Sequence, residues 1–204
     1  MEQNVLNILI VCTGNICRSA LAAAILAVRL QDVDIAVSSA GTRARFGGRM
    51  PAEAALLATQ RSVSRSLVEE HVARPLQESY LAQAHLVIAM DRTHRRLCVE
   101  MDPTVVRRAF TLRELSFLAD SVTDAQLRQR SMADSAEDRL ANILQMLADR
   151  RGVIVPPLDP NDADVVDPYG RSTSTYELSA AQIDASLPAV ERLARIALGE
   201  ANSV

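Results

Sequence analysis

The chain has 204 residues, of which 49% are hydrophobic and 23% are charged. This length and composition fit one compact domain with a hydrophobic core and exclude a disordered segment. The net charge of −3 provides no basic field, so we expect no nucleic-acid partner. The N-terminal sequence lacks a secretory signal, and the longest apolar-rich run, residues 20–28, is too short for a bilayer. We therefore expect a cytoplasmic protein without membrane insertion.

The residues that usually bind metals or form disulfides are few. The three cysteines, Cys12, Cys17 and Cys98, are too few for a disulfide scaffold and lack a second Cys or His pair for structural zinc. Cys98 lies in a helical pattern and is expected to be buried. The histidines show no metal-ligand spacing; His71 is expected to be structural, and no role is expected of His85 or His94. We therefore expect no metal site.

Strands and helices alternate along the chain. The apolar run at residues 6–11 predicts a strand buried on both faces, and helix formers follow from Ser19, the expected N-cap. Further elements are predicted in chain order: strands at 35–39, 85–90 and 105–111, helices at 51–60 (with Pro51 as its first residue), 93–101 and 113–119, an irregular segment at 155–168 and a last helix at 175–198. This alternation predicts an α/β fold with a parallel sheet covered on both faces.

Residues 116–164 differ in composition from the rest of the chain, with nine acidic and five basic residues. They predict an added helix that begins after Asp134 or Ser135 and ends at Gly152. Its apolar residues recur at helical spacing: Leu140, Ile143, Leu144 and Leu147. We interpret the stretch as a helical insertion into a single domain of residues 1–204, and as a solvated helix in preference to a partner-docking surface.

The segment CTGNICRS, residues 12–19, lies between the first strand and the first helix. A loop in this position directs its backbone N–H groups to one edge of the sheet, where the helix N-terminus adds a positive dipole. Such a cradle binds an oxyanion and stabilises a thiolate on Cys12 as a nucleophile. The guanidinium of Arg18 can hold two oxygens of a phosphoryl group. The segment therefore predicts an oxyanion-binding loop around a reactive cysteine.

The other loop residues are expected to support this chemistry. Gly14 is expected to permit an unusual backbone angle, and Asn15 to hold that shape by hydrogen bonds to loop backbone. The Ser19 hydroxyl can reach the Cys12 sulfur and stabilise it as it leaves. Cys17 is either a packing residue or the partner of Cys12 in a reversible disulfide. The expected phosphate-binding set is Thr13, Gly14, Asn15, Ile16, Cys17, Arg18 and Ser19.

A proton donor is needed as well, because an alkoxide or phenoxide is a poor leaving group. The tripeptide Asp167-Pro168-Tyr169 offers a carboxyl group on a loop that can close over the cradle. Asp159 also precedes a proline, but the aromatic residue and glycine after Pro168 favour Asp167 as the general acid. Tyr169 is expected to line the entrance.

These segments resemble the low-molecular-weight protein-tyrosine phosphatase family. Besides CTGNICRS, the family-like stretches are SSAGT at 38–42, HVARPL at 71–76, LVIAMD at 86–91 and DPYG at 167–170. The resemblance implies a three-layer fold with a four-stranded parallel sheet flanked by helices. It also implies a phosphocysteine intermediate on Cys12, phosphate binding by Arg18, and Asp167 as acid and then base. No metal or cofactor is implied.

The chain departs from the family pattern in three ways. Thr13 replaces the more usual leucine, Ala20 replaces the usual proline, and the interval from Met90 to Asp167 is longer than is typical. None of these departures removes a catalytic group.

The resemblance also bears on the substrate. In the family, the loop after Thr42 supplies an aromatic wall to the substrate slot, and here Arg45 and Phe46 are the candidates. An arginine at that place favours an acidic or phosphorylated peptide. Ile16, where arginine-directed members have threonine, resembles the tyrosine-directed members. The expected partner is therefore a phosphotyrosine protein, and bacterial tyrosine kinases of polysaccharide synthesis are a plausible context by resemblance only.

Three other functions remain open at this stage. One is a protein arginine phosphatase, and another is an arsenate reductase that uses the same cradle. An intramolecular reductase cascade needs two cysteines outside the loop, whereas only Cys98 is available, although a version that depends on a small thiol stays open. The last is a module that binds phosphopeptides without turnover, for which the presence of Cys12, Arg18 and Asp167 is unfavourable.

Overall fold

Four parallel strands form one sheet in the order β2-β1-β3-β4. The computed structural model describes residues 5–153 and 159–200. The strands are β1 Leu6–Cys12, β2 Ile35–Gly41, β3 Leu86–Ala89 and β4 Ala109–Thr111. The predicted parallel sheet is therefore confirmed.

Helices cover both faces of this sheet, which confirms the expected three layers. Those in the described residues are α1 Arg18–Arg29, α2 Ala52–Thr59, α3 Arg65–Glu70, α4 Glu78–Gln83, α5 Arg92–Met101, α6 Leu112–Asp120, α7 Asp124–Arg130, α8 Ala136–Asp149 and α9 Thr173–Leu198. The short helices α3, α4 and α7 were not predicted from the sequence. Within the described residues, every helix is too short or too polar to cross a lipid bilayer.

The two faces of β1 belong to different buried clusters. Ile8 and Ile10 pack in the larger cluster with α1, α6, α8 and α9, whereas Leu9 and Val11 pack in the smaller one with Leu81 of α4 and residues near α5. Successive strand residues point to opposite faces, so a continuous apolar run fills both. This burial explains why residues 6–11 were recognisable as a central strand.

Several predicted boundaries were wrong, most of them by one or two residues. The strand predicted at 105–111 is only Ala109–Thr111, because a 3-10 turn at Pro103–Arg107 begins with proline and is capped by Asp102, whose carboxylate accepts the N–H of Thr104. Ser19 is not the N-cap of α1: the helix begins at Arg18, and the Ser19 hydroxyl lies near Cys12 Sγ instead. Pro51 was expected to be the first residue of α2, but it occupies the N-cap position, and the helix begins at Ala52.

The helix predicted within residues 116–164 is present as α8, and Ser135 is its cap: the Ser135 side chain accepts the N–H of Asp138 at 3.0 Å. The helix ends at Asp149, three residues before the predicted end at Gly152. Its apolar stripe is buried in the same cluster as α1 and α9: Leu140, Ile143, Leu144 and Leu147. A Thr123–Gln126 capping box starts α7 within the same stretch.

Parallel pairing brings the carboxyl ends of the strands to one edge of the sheet. In the register, Cys12 pairs with Gly41, Val11 with Ala89, and Ala89 with Thr111. Ligand sites of open parallel sheets lie at this edge, where loops leave neighbouring strands. The loop after β1 and the turn after β3 are therefore neighbours in space.

Candidate active site

Residues 12–18 form a loop between the end of β1 and the first turn of α1. Cys12 is buried, and its Sγ accepts the backbone N–H of Asn15 at 3.2 Å. The Ser19 Oγ lies 2.9 Å from the same sulfur. Both contacts place a hydrogen-bonding group directly against the sulfur.

Asn15 holds the backbone of the loop in a strained shape. Its φ is +54°, in the left-handed region that non-glycine residues rarely adopt. The Asn15 amide donates to Ser19 Oγ at 3.0 Å and to Ser39 Oγ at 2.8 Å, and its oxygen accepts the N–H of Arg74 at 3.0 Å. The His71 Nε2 donates to the Asn15 carbonyl at 2.7 Å. Three separate segments therefore fix this residue.

Two expectations for the loop need correction. Gly14 was expected to adopt the unusual backbone angle, but the left-handed residue is Asn15, and Gly14 is not among the glycines with positive φ. The Asn15 side chain bonds mainly to hydroxyl groups and to a neighbouring segment, where bonds to loop backbone were expected. The expected structural role of His71 is confirmed by its hydrogen bond, and burial lowers the pKa of its imidazole.

Close packing explains why the SSAGT segment has a glycine at position 41. A Cβ on this residue would lie 2.6 Å from the carbonyl oxygen of Thr13 and 2.9 Å from the amide nitrogen of Asn15. Both are backbone atoms that cannot move away cheaply. The end of β2 therefore packs directly on the loop, which leaves no room for a side chain.

Arg18 lies in the first turn of α1 and is 4% exposed. Its Nη1 is 3.2 Å from Asp91 Oδ2 and donates to the carbonyl of Val165, also at 3.2 Å. Its Nη2 is 2.8 Å from Asp167 Oδ2. The guanidinium is therefore held between two carboxylates, one at the end of β3 and one on the loop before α9.

A cavity of about 480 Å³ opens above the loop. The predicted site residues on its wall are Cys12, Thr13, Gly14, Ile16, Cys17, Arg18, Arg45, Asp167 and Tyr169. Asn15 and Ser19 lie beneath it and are buried. Phe46, expected beside Arg45, is 81% exposed and is not part of the wall. The structure thus brings Asp167, which lies far along the chain, to the cavity that Cys12 and Arg18 line.

The other two thiols are buried. Burial raises the pKa of Cys17 to about 11, although a contact with the Tyr176 hydroxyl at 3.8 Å partly opposes this. Burial also raises the pKa of Cys98 to about 12, and Cys98 is inaccessible, as expected. All three cysteines are free thiols.

Sequence reasoning missed Arg43, Asp91 and His94. Arg43 lines the cavity, Asp91 contacts Arg18, and His94 contacts Thr13 through Nε2 at 2.7 Å. One available signal was the position of Asp91 directly after a central strand, where parallel sheets carry their functional side chains. No group of three potential ligands for a metal ion occurs within residues 5–153 and 159–200.

Comparisons with known proteins agree with this geometry. The family model described as "Low molecular weight phosphotyrosine protein phosphatase" matches residues 7–150. A "Probable low molecular weight protein-tyrosine-phosphatase AmsI" of Erwinia amylovora is 34% identical over 48% of this chain and 65% of its own length. A "Protein-arginine-phosphatase" of Geobacillus stearothermophilus is 29% identical over 70% of this chain and 94% of its own length.

A solved structure shows the same fold. The low molecular weight protein tyrosine phosphatase from T. tengcongensis superposes with a TM-score of 0.64 at 24% identity, covering 91% of this chain and 97% of that one. The matched family range includes the whole Cys12 to Ser19 loop, whereas Asp167 lies beyond it. The chain belongs to the low molecular weight phosphotyrosine protein phosphatase family, a family of cysteine-dependent phosphatases.

Proposed function

We propose that this chain hydrolyses phosphate monoesters, with protein phosphotyrosine as substrate, through a phosphocysteine on Cys12. One observation carries the proposal: Cys12, Arg18 and Asp167 line the same cavity. Cys12 has the chemistry of a nucleophile, Arg18 that of a phosphate clamp and Asp167 that of a proton donor.

In the first step, the Cys12 thiolate attacks phosphorus and an S–P bond forms as the P–O bond of the ester breaks. The Asp167 carboxyl gives its proton to the leaving oxygen. Arg18 binds two oxygens of the transferring group and stabilises their charge in the transition state. In the free protein, Asp167 contacts Arg18 Nη2, so an incoming phosphate would displace that carboxyl group toward the leaving group.

In the second step, water attacks the phosphocysteine and the S–P bond breaks. The Asp167 carboxylate takes a proton from the attacking water, which restores its acid form. The departing Cys12 sulfur regains the contacts of the free state, with Ser19 Oγ and the Asn15 N–H. Phosphate and the starting enzyme are the products, so the cycle uses no reductant.

The wall of the cavity supports phosphotyrosine as the substrate. Ile16 and Tyr169 provide apolar surface on opposite segments, which suits a flat aromatic ring. The exposed guanidinium groups of Arg43 and Arg45 add positive charge near the entrance. We therefore expect peptides with acidic residues beside the phosphotyrosine to bind better than neutral ones. We propose a tyrosine kinase of polysaccharide synthesis as the protein partner. The phosphorylated form of such a kinase is the substrate with which to test this.

Phosphoarginine is the second candidate substrate, because the relative named a protein-arginine-phosphatase aligns over 94% of its own length. Residue 16 separates the two: isoleucine offers only apolar contact, whereas threonine offers a hydroxyl group. The Ile16→Thr variant is therefore expected to gain turnover of phosphoarginine relative to phosphotyrosine. An arsenate cascade within the chain lacks support, because Cys98 is fully buried.

The test measures turnover of phosphotyrosine and phosphoarginine peptides in the presence of a chelator, with arsenate plus a thiol reductant as a third assay. The Cys12→Ser variant is expected to lose phosphotyrosine hydrolysis but keep the ability to bind phosphate. Cys98→Ala is the matched control, since it removes a thiol from the opposite side of the sheet and should keep wild-type turnover. Hydrolysis by Cys12→Ser at the wild-type rate would refute the nucleophile, and preferred phosphoarginine hydrolysis would refute the substrate.

A further inference from the structure

The first turn of α5 contacts both ends of the phosphate-binding loop. Asp91 caps the helix, and its Oδ1 accepts the backbone N–H of His94 at 2.8 Å. The other carboxylate oxygen of Asp91 lies 3.2 Å from Arg18 Nη1, at the end of the loop. His94 Nε2 lies 2.7 Å from the Thr13 hydroxyl, at its beginning. One helical turn thus touches the residue after the nucleophile and the phosphate clamp.

His94 is buried and lies between a carboxylate and a hydroxyl group. Its side chain is 3% exposed, and its Nδ1 lies 3.0 Å from Asp91 Oδ2. The imidazole therefore bridges the Asp91 carboxylate at the start of α5 and the Thr13 hydroxyl at the start of the loop.

Asp91 is held in its ionised form. Burial by itself raises the pKa of this carboxyl, but hydrogen bonds from His94 and the charges of His94 and Arg18 outweigh that effect and lower it to about 2. The negative charge that faces both His94 and Arg18 is therefore present throughout the neutral range. The fixed charge makes the turn a firm support for the loop.

We propose that His94 is a positioning residue that acts through Thr13 and Asp91 to fix the phosphate-binding loop for catalysis. The inference rests on the phosphatase function proposed above. The contact depends on the side chain at position 13, because a residue without a hydroxyl group there could not bond to the imidazole. The Thr13–His94 pair is thus a polar link between loop and helix that depends on both residues of this chain.

The position of Cys12 relative to Arg18 matters most in the transition state, when both groups act on one phosphorus. Loss of a supporting contact therefore lowers kcat more than it raises KM. A small displacement of reacting groups costs up to about 100-fold in rate. We expect His94→Ala and Thr13→Val each to lower kcat by about 10- to 100-fold while KM changes by less than about 3-fold.

The test is a double-mutant cycle on turnover of a phosphate monoester. The double variant His94→Ala/Thr13→Val should be no slower than the slower single variant, because both remove the same link. Thr13→Ser keeps the hydroxyl and should recover most of the wild-type kcat. His85→Ala is the control: His85 is half-buried and accepts the N–H of Asn7 at 2.9 Å, but it lies at the opposite edge of the sheet.

Independent losses that multiply in the double variant would overturn the proposal, as would a Thr13→Val variant with the kcat of the wild type. If His94→Ala does not fold, the kcat of Thr13→Val compared with that of Thr13→Ser decides the matter alone. Thr13→Val breaks the same hydrogen bond from the side of the loop, whereas Thr13→Ser keeps it. Orthovanadate binding is measured in the variants with Cys12 intact, because vanadate takes up the thiolate as a fifth ligand and then resembles the transition state; weaker binding is expected for Thr13→Val than for Thr13→Ser. That measurement needs no turnover, so it tests the positioning role even if the proposed hydrolysis fails.

Discussion

Arg18 and Asp167 form an ion pair in the free protein, with Nη2 2.8 Å from Oδ2. The arginine is 4% exposed and the aspartate side chain 51% exposed, so the pair joins a buried group to a loop at the surface. The group proposed to bind phosphate is therefore occupied by the group proposed to supply the proton. A substrate dianion competes for the same N–H donors, which couples substrate binding to release of the acid.

The Arg18→Lys variant is expected to lose about 100-fold or more of kcat. An ammonium group is a point charge and cannot bind two phosphate oxygens as a planar guanidinium does. Turnover of phosphotyrosine peptide and phosphate inhibition are the measurements. Arg65→Lys, at an exposed i,i+4 pair with Glu69, is the control and should behave as the wild type. Retained activity in Arg18→Lys would show that Arg18 is not the clamp.

The Asp167→Asn variant should distinguish substrates by their leaving groups. An amide cannot give a proton, so hydrolysis of phenyl phosphate, with its basic leaving group, should fall by about 100-fold or more. p-Nitrophenyl phosphate needs little protonation and should lose far less. Asp159→Asn is the matched control, because Asp159 also precedes a proline. Equal losses for both esters would contradict the acid role.

Local patterns in the sequence predicted the sheet and the reactive loop, whereas contacts between distant segments were out of reach. The run at 6–11 is apolar on both faces, which only a central strand satisfies. The loop was recognisable because its nucleophile and clamp lie within seven residues.

The bonds that shape the loop come from elsewhere in the chain. Asn15 is contacted by residues of other segments: Ser39, His71 and Arg74. Only the tertiary fold brings these segments close to the loop. His94 was missed for the same reason, since its partner Thr13 lies 81 residues away. The positive φ of Asn15 was assigned to Gly14 because glycine adopts it without cost, whereas here the asparagine is compensated by its hydrogen bonds.

Iodoacetamide at pH 8 is expected to modify Cys12 alone. With pKa values of about 11 and 12, Cys17 and Cys98 are thiolate in about one molecule in a thousand or fewer. Cys12 lines the cavity, so the reagent can reach its sulfur, which the Asn15 N–H and the Ser19 hydroxyl contact. Mass spectrometry of the digested protein should find one modified site, and phosphate should slow its formation. Equal labelling of Cys17 would contradict the burial seen here.

The stability contributed by Asp91 should depend on pH. Its pKa is about 2 when folded, against 3.8 for the ordinary carboxyl, so ionised Asp91 stabilises the protein above pH 4. That contribution is lost as pH falls from about 4 to about 2 and amounts to roughly 2 kcal/mol. Urea unfolding of Asp91→Asn and of the wild type should show a difference in the free energy of unfolding that is smaller at pH 2.5 than at pH 6. A difference of constant size would mean that the charge of Asp91 is not what stabilises the fold.

The Leu144→Ala variant tests whether residues 116–164 belong to the same domain as the site. Leu144 is 1% exposed and packs in the cluster that includes residues of α1 and α9. Removing its buried carbons should therefore lower the free energy of unfolding by about 2 to 5 kcal/mol in one cooperative transition. Leu56→Ala is the matched control, since Leu56 is 59% exposed on α2 and should cost less than about 1 kcal/mol. Two separate transitions, with only one shifted by Leu144→Ala, would instead show that the insertion folds as a unit of its own.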